Sequence, residues 1–290
     1  MLVLLYSLTP GLVDWSEAHT PHPPTDPLVL NYRGNPETAF GYSFQTIHYT
    51  TELGDAEAWL VPAERPSATW AVYVHGIGGI RENGYKQLKI LHEAGIPTLL
   101  ITYRNDPGAP AAPNRLYSMG LTEWRDADAA IGWALDQGAQ KIALVAESMG
   151  GSIAGELLLH SVHAQKIAGL ALDAPALDVK AVLVDKLEQD HLPFAELIES
   201  IAIQEFSLFT GTDLGAINTS EAVAAFPGPL FLAHGSADRL VPVTVSDELA
   251  RKRLGYTSYV RTGAEHLGSF NEAPERYRAG FTDLLAQVGR

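Results

Sequence analysis

Three residue types that together perform nucleophilic catalysis occur in order along this chain. Ser148 lies in the run AESMGG, Asp238 ends the run HGSAD, and His266 ends the run GAEH. A serine hydroxyl is a weak nucleophile at neutral pH and needs a nearby base, a role that a histidine oriented by a carboxylate can fill. The order predicts Ser148 as nucleophile, His266 as base and Asp238 as the acid that orients it.

The residues around Ser148 predict a strand that turns sharply into a helix. Residues 141–145 (KIALV) are an apolar strand, and small residues follow where a bulky side chain would collide. Such a turn exposes the serine oxygen and leaves the N–H of Met149 pointing at the reaction centre, where we expect it to stabilise a developing oxyanion. Ala146 replaces the first glycine of the usual Gly-x-Ser-x-Gly pattern, which adds one methyl group. Glu147 is unusual beside a nucleophile, and we expect it to point away and pair elsewhere.

A glycine-rich turn predicts a second backbone donor. Residues 75–79 (HGIGG) follow the apolar strand at 70–74. The N–H of Ile77 is the expected donor to a developing oxyanion, and Gly76 lets the backbone approach the substrate closely. A phosphate-binding loop is the competing interpretation, but the lysine and Ser/Thr of a P-loop and the spacing of a dinucleotide loop are missing. His75 is expected to brace this turn.

Two further residues at predicted strand ends compete for roles in the site. Asp173 is the rival to Asp238 as the acid, although we expect it to hold loop backbone. Tyr103 ends another strand, in the run YRND, and either borders the substrate pocket or belongs to a structural loop network. We predict Gly76 and Tyr103 as substrate-binding residues.

Composition excludes several classes of function. The net charge of −14 disfavours nucleic acid as a partner, because a phosphate backbone binds a basic surface. The chain has no cysteine, which excludes disulfides, thiolate catalysis and cysteine-ligated metal. No HExxH motif or cluster of carboxylates indicates a metal site. We therefore expect no metal site.

The N-terminal stretch at 1–8 (MLVLLYSL) is apolar but shorter than the roughly 20 residues of a membrane-spanning helix. A short packed or frayed arm is the first interpretation, and the remnant of a longer anchor or signal is the second. Weak membrane association through this stretch is compatible with either interpretation. The expected location of the protein is the cytoplasm.

Strand and helix patterns alternate along most of the chain. This alternation predicts an α/β fold with a mostly parallel sheet covered by helices on both faces. Residues 1–40 form an arm and a proline-rich leader, and residues 41–290 form the domain. Within it, the insertion at 175–227 has helical character without a strand, and we expect it to act as a lid. Strands are predicted at 44–51, 56–61, 70–74, 97–102, 142–146, 167–173, 230–233 and 258–261, and helices at 85–93, 122–137, 151–162, 245–254 and 274–288.

With HGIGG, ESMGG, HGSAD and His266 in place, the chain resembles the α/β-hydrolase superfamily over residues 44–288. It is most similar to bacterial serine hydrolases near the prolyl-oligopeptidase-like and monoacylglycerol-lipase-like groups. The resemblance implies an eight-stranded sheet, a Ser148–Asp238–His266 triad, and hydrolysis of an ester, thioester or amide without a cofactor. Serine at position 148 argues against the dehalogenase and epoxide-hydrolase branches, which use an aspartate nucleophile.

The leading hypothesis is a carboxylic-ester hydrolase that forms an acyl-enzyme and accepts a small-molecule ester with an apolar acyl group. A peptidase or amidase of the prolyl-oligopeptidase-like kind is the second hypothesis. About seventy residues precede the strand at 70–74, too few for the propeller that gates peptides in such enzymes. A non-catalytic binding protein that kept the fold is the third.

Overall fold

The computed structural model describes residues 24–289 as eight strands and ten α-helices. The strands are β1 (Gln45–Thr51), β2 (Gly54–Val61), β3 (Thr69–Val74), β4 (Thr98–Ile101), β5 (Lys141–Glu147), β6 (Ile167–Asp173), β7 (Leu230–Gly235) and β8 (Thr257–Thr262). The helices are α1 (Pro36–Phe40), α2 (Tyr85–Glu93), α3 (Trp124–Asp136), α4 (Met149–His160), α5 (Val179–Gln189), α6 (Ala195–Thr210), α7 (Ser220–Ala225), α8 (Thr244–Lys252), α9 (Ser269–Glu272) and α10 (Pro274–Val288).

All eight strands join one sheet in the order β1-β2-β4-β3-β5-β6-β7-β8. The β1–β2 and β2–β4 pairs are antiparallel, and every pair from β4–β3 to β7–β8 is parallel. The predicted eight-stranded, mostly parallel sheet is therefore confirmed. The turn between β1 and β2 falls at Glu52 and Leu53, because β1 ends at Thr51 and β2 begins at Gly54.

Helices cover both faces of the sheet, and strand side chains alternate between two apolar cores. In β3, Val72 and Val74 join the core formed with α3, α4 and α8. Ala71 and Tyr73, from the same strand, join the opposite core, formed with α2 and α10. Burial on both faces explains why the parallel strands read as nearly continuous apolar runs.

The insertion (residues 175–227) contains α5, α6 and α7, and its one strand-like contact is an isolated bridge between Asp178 and Asn218. Its buried side chains, including Ile203 and Phe206, join the core on the α3–α4 face. The predicted helical character is thus present, and a role as a lid over the site stays a prediction.

Residues 24–40 pack against α2 through aromatic side chains. The rings of Tyr32 and Phe40 contact the Tyr85 ring, whose hydroxyl donates a hydrogen bond to the Gly34 carbonyl. The apolar stretch at 1–8 lies outside the described residues. Within residues 24–289, no helix is both long and apolar enough to cross a lipid bilayer.

Candidate functional site

Four loops that follow parallel strands bring the predicted site residues together at the carboxyl end of the sheet. Gly76 follows β3, Ser148 follows β5, Asp238 follows β7 and His266 follows β8. Since neighbouring parallel strands all point the same way, side chains just beyond their carboxyl ends meet in one crevice. The sheet therefore gathers residues that are as far apart as Gly76 and His266 in sequence.

The turn between β5 and α4 is sharp and strained at Ser148. Its φ of 51° and ψ of −119° lie outside the regions that residues with a side chain usually occupy. Such a conformation persists where the surroundings hold it, and here the Ser148 N–H donates to the Asp173 carbonyl at 3.0 Å. Gly150 is required because a Cβ there would lie 2.4 Å from the Val74 carbonyl oxygen. Ala146 is buried in the core, which accommodates its methyl group.

Ser148, His266 and Asp238 form a continuous hydrogen-bonded chain. The Ser148 Oγ lies 3.0 Å from His266 Nε2, and His266 Nδ1 lies 2.7 Å from Asp238 Oδ2. An ionised carboxylate only accepts hydrogen bonds, so Nδ1 carries the proton. The free electron pair on Nε2 then faces the serine hydroxyl, and the arrangement can withdraw the proton from Ser148.

Asp238 is held in its ionised form by donors around both oxygens. Its Oδ1 accepts from the N–H groups of Leu240 at 2.8 Å and Val241 at 3.0 Å. His234 Nε2 lies 3.2 Å from Oδ2. Burial raises the pKa of Asp238, but hydrogen bonds from His234, His266 and Val241 outweigh burial and lower this pKa below its usual value.

The glycine loop (residues 75–79) lies against the nucleophile. A Cβ on Gly76 would come within 2.8 Å of the Ser148 Cβ, so only glycine allows this approach. Within residues 24–289, the backbone N–H groups of Ile77 and Met149 have no acceptor. The Met149 N–H also begins α4, whose N-terminal end attracts negative charge. Two unpaired donors beside Ser148 can stabilise an oxyanion.

The Gly76 carbonyl is held on the opposite side of the peptide group from the Ile77 N–H. It accepts from His75 Nδ1 at 2.8 Å, from the Tyr103 hydroxyl at 3.0 Å and from the Gly79 N–H at 3.0 Å. The C=O and N–H of a trans peptide point in opposite directions. Donors that hold this C=O therefore also set the direction of the Ile77 N–H.

Both ring nitrogens of His75 have hydrogen-bond partners, and protons on both nitrogens satisfy these partners. Its Nδ1 faces the Gly76 carbonyl, and its Nε2 lies 2.8 Å from Asp106 Oδ2. Burial lowers the pKa of His75, but Asp106 and the Gly76 carbonyl outweigh burial and raise this pKa above its usual value. Asp106 is held in turn by the Tyr103 N–H at 2.8 Å and the Tyr117 hydroxyl at 3.2 Å.

The carboxylates of Glu147 and Asp173 point away from the serine and pair elsewhere. Both contact Lys86 Nζ, at 2.9 Å from Glu147 and 3.1 Å from Asp173. Asp173 thus binds side chains rather than the loop backbone that we expected it to hold. Asp238, not Asp173, contacts His266.

The structure thus brings Ser148, Asp238, His266, Gly76 and the N–H groups of Ile77 and Met149 to one place. Tyr103 is fully buried behind the glycine loop, where its hydroxyl donates to the carbonyls of His75 and Gly76, and a direct contact with substrate stays a prediction.

Sequence reasoning missed several supporting residues. His234 stands four positions before Asp238 in the same motif, and this spacing was an available signal. Lys86 is an ordinary polar residue of an amphipathic helix, and nothing in the sequence distinguishes it. In the described part of the chain, no group of three or more His, Asp or Glu side chains could hold a metal ion.

Solved structures share this architecture over most of the chain. An esterase from Pyrococcus furiosus superposes with a TM-score of 0.68 at 18% identity, covering 93% of this chain and 98% of that one. The chain has an α/β-hydrolase fold. A thermophilic esterase from Thermogutta terrifontis superposes with a TM-score of 0.58 at 18% identity, covering 85% of this chain and 100% of that one. A Butyrivibrio proteoclasticus protein with ferulic acid bound superposes with a TM-score of 0.62 at 14% identity, covering 84% of this chain and 100% of that one.

No protein-family model matches the sequence, and a search of curated proteins finds no match. At these identities the α/β-hydrolase fold is shared, and the chemistry must be argued from the site itself.

Proposed function

We propose that this protein is a serine hydrolase that cleaves carboxylic esters through an acyl-enzyme intermediate. The observation that carries the proposal is the chain of hydrogen bonds from Ser148 Oγ through His266 to Asp238, at 3.0 and 2.7 Å. The α/β-hydrolase fold and its esterase neighbours agree with this activity.

In the first half-reaction, His266 Nε2 takes the hydroxyl proton as Ser148 Oγ attacks the carbonyl carbon of the ester. Asp238 orients the imidazole and stabilises its protonated form. The N–H groups of Ile77 and Met149 stabilise the negative charge on the carbonyl oxygen. The C–O bond to the alcohol then breaks, His266 returns the proton to the leaving oxygen, and the acyl group stays on Ser148.

In the second half-reaction, water replaces the serine hydroxyl as the nucleophile. His266 takes a proton from this water, the resulting tetrahedral adduct collapses, and Ser148 leaves with the proton. The products are the carboxylic acid and the regenerated enzyme. No cofactor takes part in either half, since proton transfer and oxyanion stabilisation both come from this chain.

Hydrolysis of p-nitrophenyl esters from acetate to palmitate tests the proposal. Ser148→Ala should lower kcat by about 10⁴-fold or more, because the attacking oxygen is lost. It should also abolish labelling by a fluorophosphonate probe. Ser152→Ala is the matched control, since Ser152 lies in the first turn of α4 and its hydroxyl donates to the Ala176 carbonyl rather than to His266.

Full ester turnover by Ser148→Ala would refute the assignment of the nucleophile. If the wild-type protein reacts with the fluorophosphonate probe and cleaves peptides but turns over no ester, the amidase hypothesis is favoured. Neither labelling nor turnover in the wild type would favour a binding protein. The acyl length that gives the highest kcat/KM measures the size of the acyl pocket.

A further inference from the structure

The ammonium of Lys86 contacts the chain neighbours of both Ser148 and His266. Its Nζ lies 2.9 Å from Glu147 Oε1, and Glu147 directly precedes the nucleophile. It also donates to the carbonyl of Leu267, which directly follows the base, at 3.3 Å. Asp173 Oδ2, at 3.1 Å, is its third partner. An ammonium has three N–H donors, so each donor of Lys86 has an acceptor.

We propose that Lys86 is a positioning residue that sets the distance between Ser148 Oγ and His266 Nε2. It does so by tying the strand end that carries Ser148 to the loop that carries His266. The inference rests on the proposed function, because the distance between these two atoms matters only if His266 activates Ser148.

Burial makes this tie rigid. Lys86, Glu147 and Asp173 are 6%, 0% and 2% exposed, so water cannot replace the contacts that each makes. Burial lowers the pKa of Lys86, but Asp173 and Glu147 outweigh burial and raise this pKa above its usual value. The side chain is therefore a cation at neutral pH, and it stays where its two carboxylate partners are.

The two carboxylates are themselves fixed to the sheet. Glu147 and Asp173 are register partners at the ends of β5 and β6. Glu147 Oε1 accepts from Gln87 Nε2 at 2.7 Å, and its Oε2 accepts from the Tyr73 hydroxyl at 2.7 Å. Asp173 Oδ2 accepts from the Tyr277 hydroxyl at 3.0 Å. Of the three acceptors around Lys86, only the Leu267 carbonyl thus belongs to the loop that carries His266.

The backbone of this loop needs external support. Leu267 has a φ of 58°, in the left-handed region that is unfavourable for a residue with a side chain. Such conformations persist only where surrounding contacts hold them. The bond from Lys86 to the Leu267 carbonyl is a contact of this kind. Without it, the loop can relax and carry the His266 imidazole away from Ser148.

The test compares kcat and KM of Lys86→Met/Glu147→Gln with those of the wild type on the best p-nitrophenyl ester. The double variant removes one positive and one negative charge, so it keeps the net charge of the buried group while it removes the tie to Leu267. We expect kcat to fall about 10- to 100-fold with KM within about twofold, because small misplacements of catalytic groups cost this much.

Tyr277→Phe is the matched control. It removes a hydrogen bond to the same Asp173 oxygen but leaves the contact between Lys86 and Leu267 in place. Its kcat should stay within about twofold of the wild-type value, even where its urea midpoint falls as far as that of the double variant. Lys86→Arg keeps the cation and should recover part of the lost kcat. A structural defect alone would lower activity in proportion to stability in all three variants.

Two outcomes would overturn the proposal. One is wild-type kcat in a folded double variant. The other is a loss of kcat in Tyr277→Phe as large as that in the double variant. Either outcome differs from a failure of the proposed function, which appears in the wild-type protein itself as the absence of both ester turnover and fluorophosphonate labelling. The single variant Lys86→Met leaves two buried carboxylates without their cation and can fail to fold. The test therefore uses the double variant, which keeps the net charge of the buried group.

Discussion

The carboxyl end of the sheet and the insertion (residues 175–227) differ in which side chains they bury and which they expose. At the carboxyl end, the polar groups around Ser148 are mostly buried, and His266, His75 and Lys86 each contact two or more polar partners. In the insertion, large apolar side chains face outward, although Phe206 and Ile203 are buried beneath them. The exposed ones are Leu192, Phe194, Leu197, Ile201, Leu208 and Phe209.

This difference separates two ways in which a substitution can act. A buried, bonded polar group holds atoms in one geometry, so its loss changes distances at the reaction centre. An apolar side chain contributes through the surface that it removes from water, so only buried positions matter for stability. Substitutions at the carboxyl end should therefore act mainly on kcat, and those in the insertion should follow burial and act on stability.

Asp238→Asn should have the largest effect of the variants compared for these two regions. The amide can donate a hydrogen bond to His266 Nδ1, which leaves the proton on Nε2 and removes the base that faces Ser148. We expect kcat to fall about 10³- to 10⁴-fold, with the secondary structure unchanged by circular dichroism. A kcat near the wild-type value would show that another acid, such as Asp173, orients the histidine.

The Asp238→Asn substitution should also change how the free energy of unfolding depends on pH. Because the native pKa of Asp238 is lowered, the stabilisation by its ionised form is complete above about pH 4, near the usual pKa of an unfolded aspartate. It is lost as the pH falls toward the native pKa. The gap in unfolding free energy between wild type and Asp238→Asn should shrink below about pH 4 in urea titrations. A gap that stays constant down to pH 2 would contradict the lowered pKa.

His75→Gln should have an intermediate effect. A glutamine side chain cannot donate to the Gly76 carbonyl and to Asp106 from two separate nitrogens, so the peptide that carries the Ile77 N–H loses part of its support. Removing an oxyanion donor outright costs about 10²- to 10³-fold in kcat, and misorienting one should cost about 10- to 100-fold. The KM should change little.

Tyr117→Phe is the control for this variant. Its hydroxyl bonds to Asp106 Oδ1 at 3.2 Å and does not touch the Gly76 carbonyl. Its kcat should stay within about threefold of the wild-type value. Equal losses of kcat in the two variants would mean that the buried network stabilises the fold without orienting the Ile77 N–H.

Substitution of two phenylalanines on α6 should have the smallest effect on kcat. The two substitutions should differ clearly in how much they lower the free energy of unfolding. Phe206 is 0% exposed and Phe209 is 71% exposed. Phe206→Ala should lower the free energy of unfolding by about 3–5 kcal/mol, because it leaves a cavity. Phe209→Ala should change it by less than about 0.5 kcal/mol. Chemical denaturation measures both, and a large loss for Phe209→Ala would show that another surface covers this face.

Local sequence patterns were sufficient to predict the sheet and to place the candidate site residues at its carboxyl end. The apolar runs that became β3 and β5 are long and unbroken, since both faces of these strands are buried. HGIGG and ESMGG each need a backbone that approaches another chain segment closely, so small residues mark them in the sequence. The finer placement near the prolyl-oligopeptidase-like and monoacylglycerol-lipase-like groups stays a prediction.

No local sequence pattern predicts several other features of the structure. The sequence predicts Lys86 to be a solvated residue at the start of an amphipathic helix, and only the tertiary structure brings it against Glu147 and Asp173 at the ends of β5 and β6. The short helices α1 and α9 were missed because four or five residues carry too little periodicity. The role of the insertion as a lid also stays a prediction, since its apolar residues fit a helix pair packed on the core equally well.

The sequence by itself determined which residues could react and which strands would carry them, because turn chemistry and apolar periodicity act over a few neighbouring residues. Tertiary structure decided which polar residues support them. Glu147 faces Lys86 rather than His266 because β5 and β6 pair in register and Lys86 of α2 contacts the carboxylates at both strand ends. Contacts between residues as distant as Lys86 and Leu267 depend on how whole elements pack, and no short stretch of sequence encodes that.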